Sequence, residues 1–388
     1  MSKTIVHYNM DDVDKQGGLF NIIYGLRSNG KSYQLKHKKA VSKYLNGSTE
    51  YYSNYLNKND IIEKSIKKGS RFMLIRRLQE EIKPNLIEKY FSDVNVTELT
   101  NGEYNCITMY RKTLYLSKYD FKTTKTQRGE IIGYVVALST EQNYAGGSYL
   151  DVNDMIFEEF MARQPYLYQE PDKLINLWST VDRKRGTTRL WLVGNSISRV
   201  CPYLTEWELQ PIISRLKQGE IESKWLGTGQ LDDNGKEIEV KLAIEYCKDN
   251  GGSSFAIGKH KDMINKGDWQ SDPQPHLPKS KKCYNILYRI GFQFQEFKFI
   301  AEYLKDNEEK TTIWFVYPYF KDFDKKMIVI SDVVKTSKYW QRNIYDLNIK
   351  NENLRKLIYN TFRENRIFYA NDLIGTDFKQ VIDFEIKR

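Results

Sequence analysis

Residues Gly25-Leu26-Arg27-Ser28-Asn29-Gly30-Lys31-Ser32 match every fixed position of the phosphate-binding loop pattern G-x-x-x-x-G-K-[ST]. The pattern is meaningful only between a strand and a helix, and both neighbours fit. Leu19 to Tyr24 is a short apolar run of the kind a buried parallel strand shows. Ser32 to Tyr44, rich in Lys, Gln, Leu and Ala, reads as a helix. In that setting backbone N–H groups and the helix N-terminus face the β- and γ-phosphates of a nucleotide. Lys31 adds positive charge, and the Ser32 hydroxyl is a ligand for Mg²⁺. Gly25, Arg27, Ser28, Asn29, Gly30, Lys31, Ser32 and the adjoining Tyr33 are the candidate nucleotide-binding residues.

A length of 388 residues exceeds one ordinary core and predicts two domains. Forty per cent hydrophobic and 28% charged residues is the balance of a globular chain. There is no apolar run of membrane-spanning length, and Met1 to His7 lacks a secretion-signal core, so a cytoplasmic, non-membrane protein is expected. The four cysteines (Cys106, Cys201, Cys247 and Cys283) and four histidines are scattered, which argues against a zinc site and for reduced thiols. A net charge of +10 with 14% aromatic residues favours a polyanionic partner such as nucleic acid.

Further along, Phe72-Met73-Leu74-Ile75 reads as a second buried strand ending in Arg76-Arg77. This pair is either a solvated turn or lies near phosphate or DNA at the ligand side of the sheet. Asn105 to Tyr110 and Thr113 to Leu116 read as strands joined at Arg111-Lys112, with Ile131 to Leu138 as another. Between them a protruding loop, Ser117 to Glu130, interleaves Lys122, Lys125 and Arg128 with Tyr119 and Phe121, and is the candidate DNA contact.

Met155-Ile156-Phe157-Glu158-Glu159 is an apolar strand ending in two carboxylates. A phosphate-loop enzyme needs one acid for the metal shell, assigned to Glu158, and one to orient the attacking water, assigned to Glu159. Adjacent strand residues point to opposite faces, so both can serve only where the strand ends. Leu174, Leu177, Trp178 and Val181 form one helical face, with Arg183, Lys184 and Arg185 at its end. An arginine there either favours the helix C-terminus or reaches a neighbouring subunit's γ-phosphate. Leu190 to Ser196 is a further strand; in additional-strand ATPases it lies between the loop strand and the acid strand, which makes Asn195 the candidate γ-phosphate sensor.

Taken together, Asn21 to Tyr33, Ile75-Arg76-Arg77, Ile156 to Phe160, Asn176 to Arg185 and Val193 to Ser196 followed by Pro202-Tyr203 resemble the φ29-type DNA-packaging motor ATPases of small tailed phages, which are terminase-like. The resemblance implies an additional-strand P-loop ATPase that forms a ring of five subunits, docks on a procapsid portal in the host cytoplasm and drives double-stranded DNA inward using ATP. A structural RNA is a further partner it raises. It also implies Lys31 and Glu159 as catalytic groups, Arg183 as the trans arginine, with Arg185 left open for that role, and Ser32 with Glu158 at Mg²⁺. Glu158 departs from the Asp usual in the family, and Arg27 matches the family's loop arginine.

Residues 1–217 are assigned to the ATPase domain and 218–279, rich in Gly, Asp, Asn and Pro, to a small linking region. In 280–388 the strand-like runs Tyr284 to Ile290, Phe292 to Phe299, Ile313 to Tyr317 and Met327 to Ile330, then a helix from Leu354 to Arg363, predict a small α/β domain. Large terminases carry a ribonuclease-H-like nuclease at this position. The first strand here has no carboxylate, and Asp322, Asp324 and Asp332 fall in charged turns, so a degenerate, non-cutting, nucleic-acid-binding version is expected. The alternative is a DNA helicase or a terminase with an active nuclease.

Overall fold

The computed structural model describes residues 8–27, 29–36, 71–162, 166–231, 234–248, 273–294, 296–331, 337–342, 352–364 and 366–385. Two compact units emerge, one of Met1–Ser196 with Leu216–Gly267, the other of Ile197–Arg215 with Asp268–Arg388. The first break falls at Ser196, ahead of the boundary expected at 217.

The first unit is built on nine strands: β1 (Phe20–Gly25), β2 (Arg71–Arg76), β3 (Cys106–Tyr110), β4 (Thr113–Asp120), β5 (Lys125–Ala137), β6 (Val152–Glu158), β7 (Arg189–Asn195), β8 (Ile221–Leu231) and β9 (Glu237–Tyr246). Their order is β3-β4-β5-β2-β6-β7-β1-β9-β8. The six from β5 to β9 in that order are mutually parallel, and antiparallel pairings add β4 and β3 at one edge and β8 at the other. Every residue of β1 is buried, as its unbroken apolar run requires of a strand covered on both faces. β7 lies between β1 and β6, the position expected for the strand carrying Asn195. Because these three neighbours are parallel, their carboxyl ends meet at one edge, with Gly25 opposite Asn195 and Glu158 opposite Val193.

Residues 221–246 differ from the expected linking loops. Val240, Leu242 and Ile244 are buried in β9, which pairs with β1, while β8 is an edge strand with a mostly exposed face. Asn234 and Gly235 turn into β9, and the polar edge strand hides the period-two signal. The expected loop 117–130 is likewise a hairpin. β4 runs to Asp120 and β5 starts at Lys125, leaving a four-residue tip with Thr124 at φ +55°. The Arg111-Lys112 turn is as read, with both residues left-handed, as a two-residue hairpin turn demands.

The second unit holds a six-stranded mixed sheet, ordered β14-β13-β10-β11-β12-β15: β10 (Tyr284–Phe294), β11 (Phe297–Asp306), β12 (Thr312–Pro318), β13 (Ile328–Ser331), β14 (Trp340–Gln341) and β15 (Ile367–Tyr369). β10, β11 and β12 are antiparallel neighbours, and β13 and β15 add in parallel. The strand break expected near Gly291 is absent. β10 runs through it, and the glycine is there because a Cβ would stand 2.7 Å from the Phe323 ring. Helices Glu352–Arg363 and Asp372–Glu385 complete the unit, the second of them not foreseen. Its Phe378 packs edge-on against Phe292 at 4.9 Å. Arg199 and Ser198 both bond to the buried carboxylate of Asp377, which ties residues 197–215 to this unit. Of the later acids, Asp322 is fully exposed beside Lys298 and Asp324 is exposed, as read; Asp332 lies outside the described residues. Among the described residues no helix is long and apolar enough to cross a membrane.

Candidate active site

A cavity of about 310 Å³ opens at the carboxyl ends of β1, β6 and β7, lined by Arg27, Asn29, Gly30, Lys31, Ser32, Tyr33, Glu158, Glu159, Val193, Gly194 and Asn195. The loop leaves β1 at Gly25, where a Cβ would stand 2.8 Å from the Cβ of Cys247, so only glycine fits beneath the loop. It turns at Gly30, whose φ of +95° is left-handed, and enters a helix at Lys31. The strand-loop-helix context read from sequence is therefore present, although the helix is described only as far as Gln34, with Leu35 and Lys36 continuing the coil. Ser28 lies outside the described residues, as do the expected helix after Lys36 and the lysine-rich segment 51–70.

The Lys31 ammonium is buried and donates to the Leu26 carbonyl (2.7 Å), Asn29 Oδ1 (3.1 Å) and the Gly25 carbonyl (3.3 Å). Burial pushes it below the usual lysine range, with Cys247 and Glu158 opposing that shift. Glu158, buried at the end of β6, accepts from the Ser32 hydroxyl at 2.9 Å and from the Tyr90 hydroxyl at 2.7 Å. Tyr90 is itself held well above the usual phenol range by burial, then by the Glu158 charge, so it stays a donor. Each of its two oxygens thus takes one donor.

Glu159 lines the same cavity from outside the strand. β6 ends at Glu158, and Glu159 adopts φ +58°, a left-handed conformation costing a non-glycine residue about 1 kcal/mol. That turn removes the opposite-face conflict between adjacent strand residues. Asn195 ends β7 and lines the cavity beside Gly194.

Arg77 departs from both sequence readings. It is buried, neither in a solvated turn nor at the cavity wall, and pairs through Nε with both Glu170 oxygens at 3.0 and 2.9 Å. Its remaining nitrogens donate to the backbone carbonyls of Glu159 (3.1 Å) and Phe160 (2.9 Å). Arg76, also at the end of β2, stacks over Tyr90 at 5.2 Å. Tyr90, Glu170 and Cys247 were not read as site residues, since they belong to no motif and meet the site only through the fold.

Arg183 is not at this cavity. It is exposed after helix Glu170–Asp182, in left-handed conformation, and donates to the Gly147 carbonyl at 2.7 Å. Gly147 precedes β6, whose far end carries Glu158; seven residues of strand put that end roughly 20 Å away. Arg183 therefore does not reach this cavity within the chain. Arg185 is bound to the carbonyls of Leu150, Val152, Val181 and Asp182 and to the Thr188 hydroxyl, a structural commitment.

Lys122, Lys125 and Arg128 are exposed on the β4–β5 hairpin with Phe121 at its tip, 81% exposed. Lys125 pairs with Asp120 and Arg128 with Ser117, so the two cations stand on opposite faces, Arg128 over the Tyr110 ring at 4.3 Å.

A sequence model of the podovirus DNA encapsidation protein (Gp16) matches residues 41–220, which include Glu158, Glu159, Arg183 and Asn195. The DNA packaging protein of Bacillus phage B103 is 26% identical over 252 residues, covering 60% of this chain and 65% of that protein. This chain is similar to the podovirus DNA encapsidation proteins over residues 41–220. The Bacillus phage phi29 DNA packaging protein is 25% identical over 211 residues, 54% of this chain and 52% of its own length. The chain thus spans about half to two thirds of the length of these relatives. Among solved structures, the N-terminal domain of the phi29 DNA packaging ATPase aligns at a TM-score of 0.40 with 23% identity, covering 62% of this chain and 95% of that one. The phi29 viral genome packaging motor assembly aligns at 0.49 with 18% identity, covering 97% and 100%.

Proposed function

We propose that this chain is an ATP-hydrolysing subunit of a viral DNA-packaging motor. The carrying observation is the convergence of Lys31, Ser32, Glu158, Glu159 and Asn195 on one cavity at the carboxyl ends of three adjacent parallel strands, in a relative of DNA packaging proteins. The strand order supports an additional-strand P-loop ATPase domain.

The residues present suit a nucleotide triphosphate with Mg²⁺. The loop offers glycine-permitted backbone at Gly30 and the Lys31 charge, and Ser32 Oγ with Glu158 Oε2, 2.9 Å apart, are the hard oxygen donors that Mg²⁺ takes. Ser32 and Glu158 would hold the metal, which when bound neutralises charge on the phosphate oxygens. Lys31 exchanges its loop carbonyls for phosphate oxygen. Glu159, free of the strand and open to the cavity, orients the attacking water and accepts its proton. Asn195 senses the terminal phosphate, and Arg27 on the cavity rim couples nucleotide state to DNA grip.

Arg183 acts on a neighbouring subunit within a homo-oligomeric ring of five, docked on a procapsid portal in the host cytoplasm, with double-stranded DNA as substrate and a structural RNA as a further partner. The second unit is read as a nucleic-acid-binding, degenerate ribonuclease-H-like domain. Its buried acids support this: Glu302 is engaged by Arg289, Tyr317 and Lys281, and Asp306 by Lys279. Metal-dependent DNA cleavage by the purified protein would favour the active-terminase alternative. The main test is Glu159→Gln, which should reduce ATP turnover at least a hundredfold while a fluorescent ATP analogue still binds with unchanged affinity. Unaltered turnover would overturn the reading.

A further inference from the structure

We infer that Arg77 is a positioning residue that holds Glu159 in its cavity-facing conformation, an inference that rests on the reading of Glu159 as the group acting on water. Glu159 is the one lining residue from β6 that lies beyond the strand, so no ladder hydrogen bond of β6 fixes it. Its left-handed backbone must be held by its surroundings. Two contacts do so. The amide of Phe160 donates to the Val193 carbonyl at 3.3 Å, and the Arg77 guanidinium donates to the carbonyls of both Glu159 and Phe160.

The guanidinium is set before the turn is made. Arg77 follows β2, the strand that pairs with β6 in parallel, so the register of Ile75 with Phe157 delivers it beside the turn. Its Nε is fixed by the pair with Glu170, whose two oxygens share that one donor and which is fully buried at the start of the helix that follows, and the guanidinium lies over Tyr166 at 5.1 Å and Phe157 at 5.5 Å. The two terminal nitrogens are therefore aimed at the two successive carbonyls, a task for a planar fork and not for an ammonium. Glu170 also accepts from the Leu167 amide at 2.8 Å, closing the segment on itself. Arg77 does not itself line the cavity, so its effect on chemistry passes through the Glu159 backbone.

The test uses the full chain. Removing one partner alone would bury an uncompensated charge, so the informative variant is the double Arg77→Met/Glu170→Met, with Arg77→Lys as the charge-conserving comparison. Thermal melting and circular dichroism establish which variants fold. In folded protein, ATP turnover should fall at least tenfold while affinity for a fluorescent ATP analogue stays within twofold, and Arg77→Lys should recover part of the rate. Turnover within twofold of the parent, or a loss matched by an equal loss of nucleotide affinity, would overturn the positioning role. Glu159→Gln run alongside separates the two claims. If it is inactive while the double variant is fully active, the positioning role fails and the reading of Glu159 stands; if it is fully active, the reading of Glu159 has failed.

Discussion

Glu245 offers a stability test of the region beneath the candidate phosphate loop. It lies on β9 opposite Ile23 of β1, buried, and accepts a hydrogen bond from Tyr8. Burial, with Asp12 adding to it and the Tyr8 bond opposing, raises its carboxyl from the ordinary 4.5 to about 7. Below pH 4.5 both folded and unfolded chains carry the proton and the full contribution is present. Between pH 4.5 and 7 the unfolded chain ionises while the folded one keeps its proton, so stability falls as pH rises, then levels above pH 7. At about 1.36 kcal/mol per tenfold, the loss between pH 5 and pH 8 is roughly 2–3 kcal/mol. In a unit of this size that corresponds to a fall of about 5–10 °C in melting temperature. Glu245→Gln keeps an acceptor for Tyr8 but cannot titrate. Melting followed by tryptophan fluorescence should show a shallower pH dependence in the variant by this amount, its advantage over the parent appearing at pH 8 and shrinking towards pH 5. The same pH dependence in both proteins would refute the reasoning.

Tyr90→Phe removes one donor from the Glu158 carboxylate; hydrogen bonds to charged groups are worth about 1.5–3 kcal/mol, so the Mg²⁺ concentration for half-maximal ATPase should change at least tenfold, and no change would remove Tyr90 from the metal site. On the hairpin, Lys122→Ala with Lys125→Ala should lower the slope of log K against log salt for duplex binding by about 1.8 if both meet phosphates, and Arg128→Ala, on the opposite strand face from Lys125, should add less than either. Equal slopes in parent and variants would return these residues to solvated surface. Mixing inactive Arg183→Ala and inactive Glu159→Gln subunits should restore part of the ATPase, because a trans arginine from one variant completes the intact glutamate site of the other; no restoration would exclude the trans role. Arg185→Ala should instead lower stability by about 2 kcal/mol through its lost backbone carbonyl contacts, measured by urea unfolding.

The loop from Gly25 to Ser32, its flanking strand, and the Glu158-Glu159 and Asn195 strand ends were legible in the chain because each is a local pattern. A buried parallel strand shows as an unbroken apolar run, and a phosphate loop demands glycine and lysine at fixed spacing whatever lies elsewhere. Tyr90 and Glu170 were not legible as site residues, and Arg77 was legible only as either a solvated turn or a neighbour of phosphate or DNA. Arg77 reaches the Glu159 turn only because β2 pairs with β6, and Glu170 meets it across 93 positions of sequence. The hairpins at 113–137 and 221–246 were blurred for a related reason: their strands are polar on one or both faces, so alternation is weak and pairing partners decide. The sequence by itself determined which groups could grip a phosphate. Tertiary structure decided which of them meet, which cation is committed to structure, as at Arg185, and what holds the second glutamate in place, because side-chain contacts between distant segments follow from strand order and register.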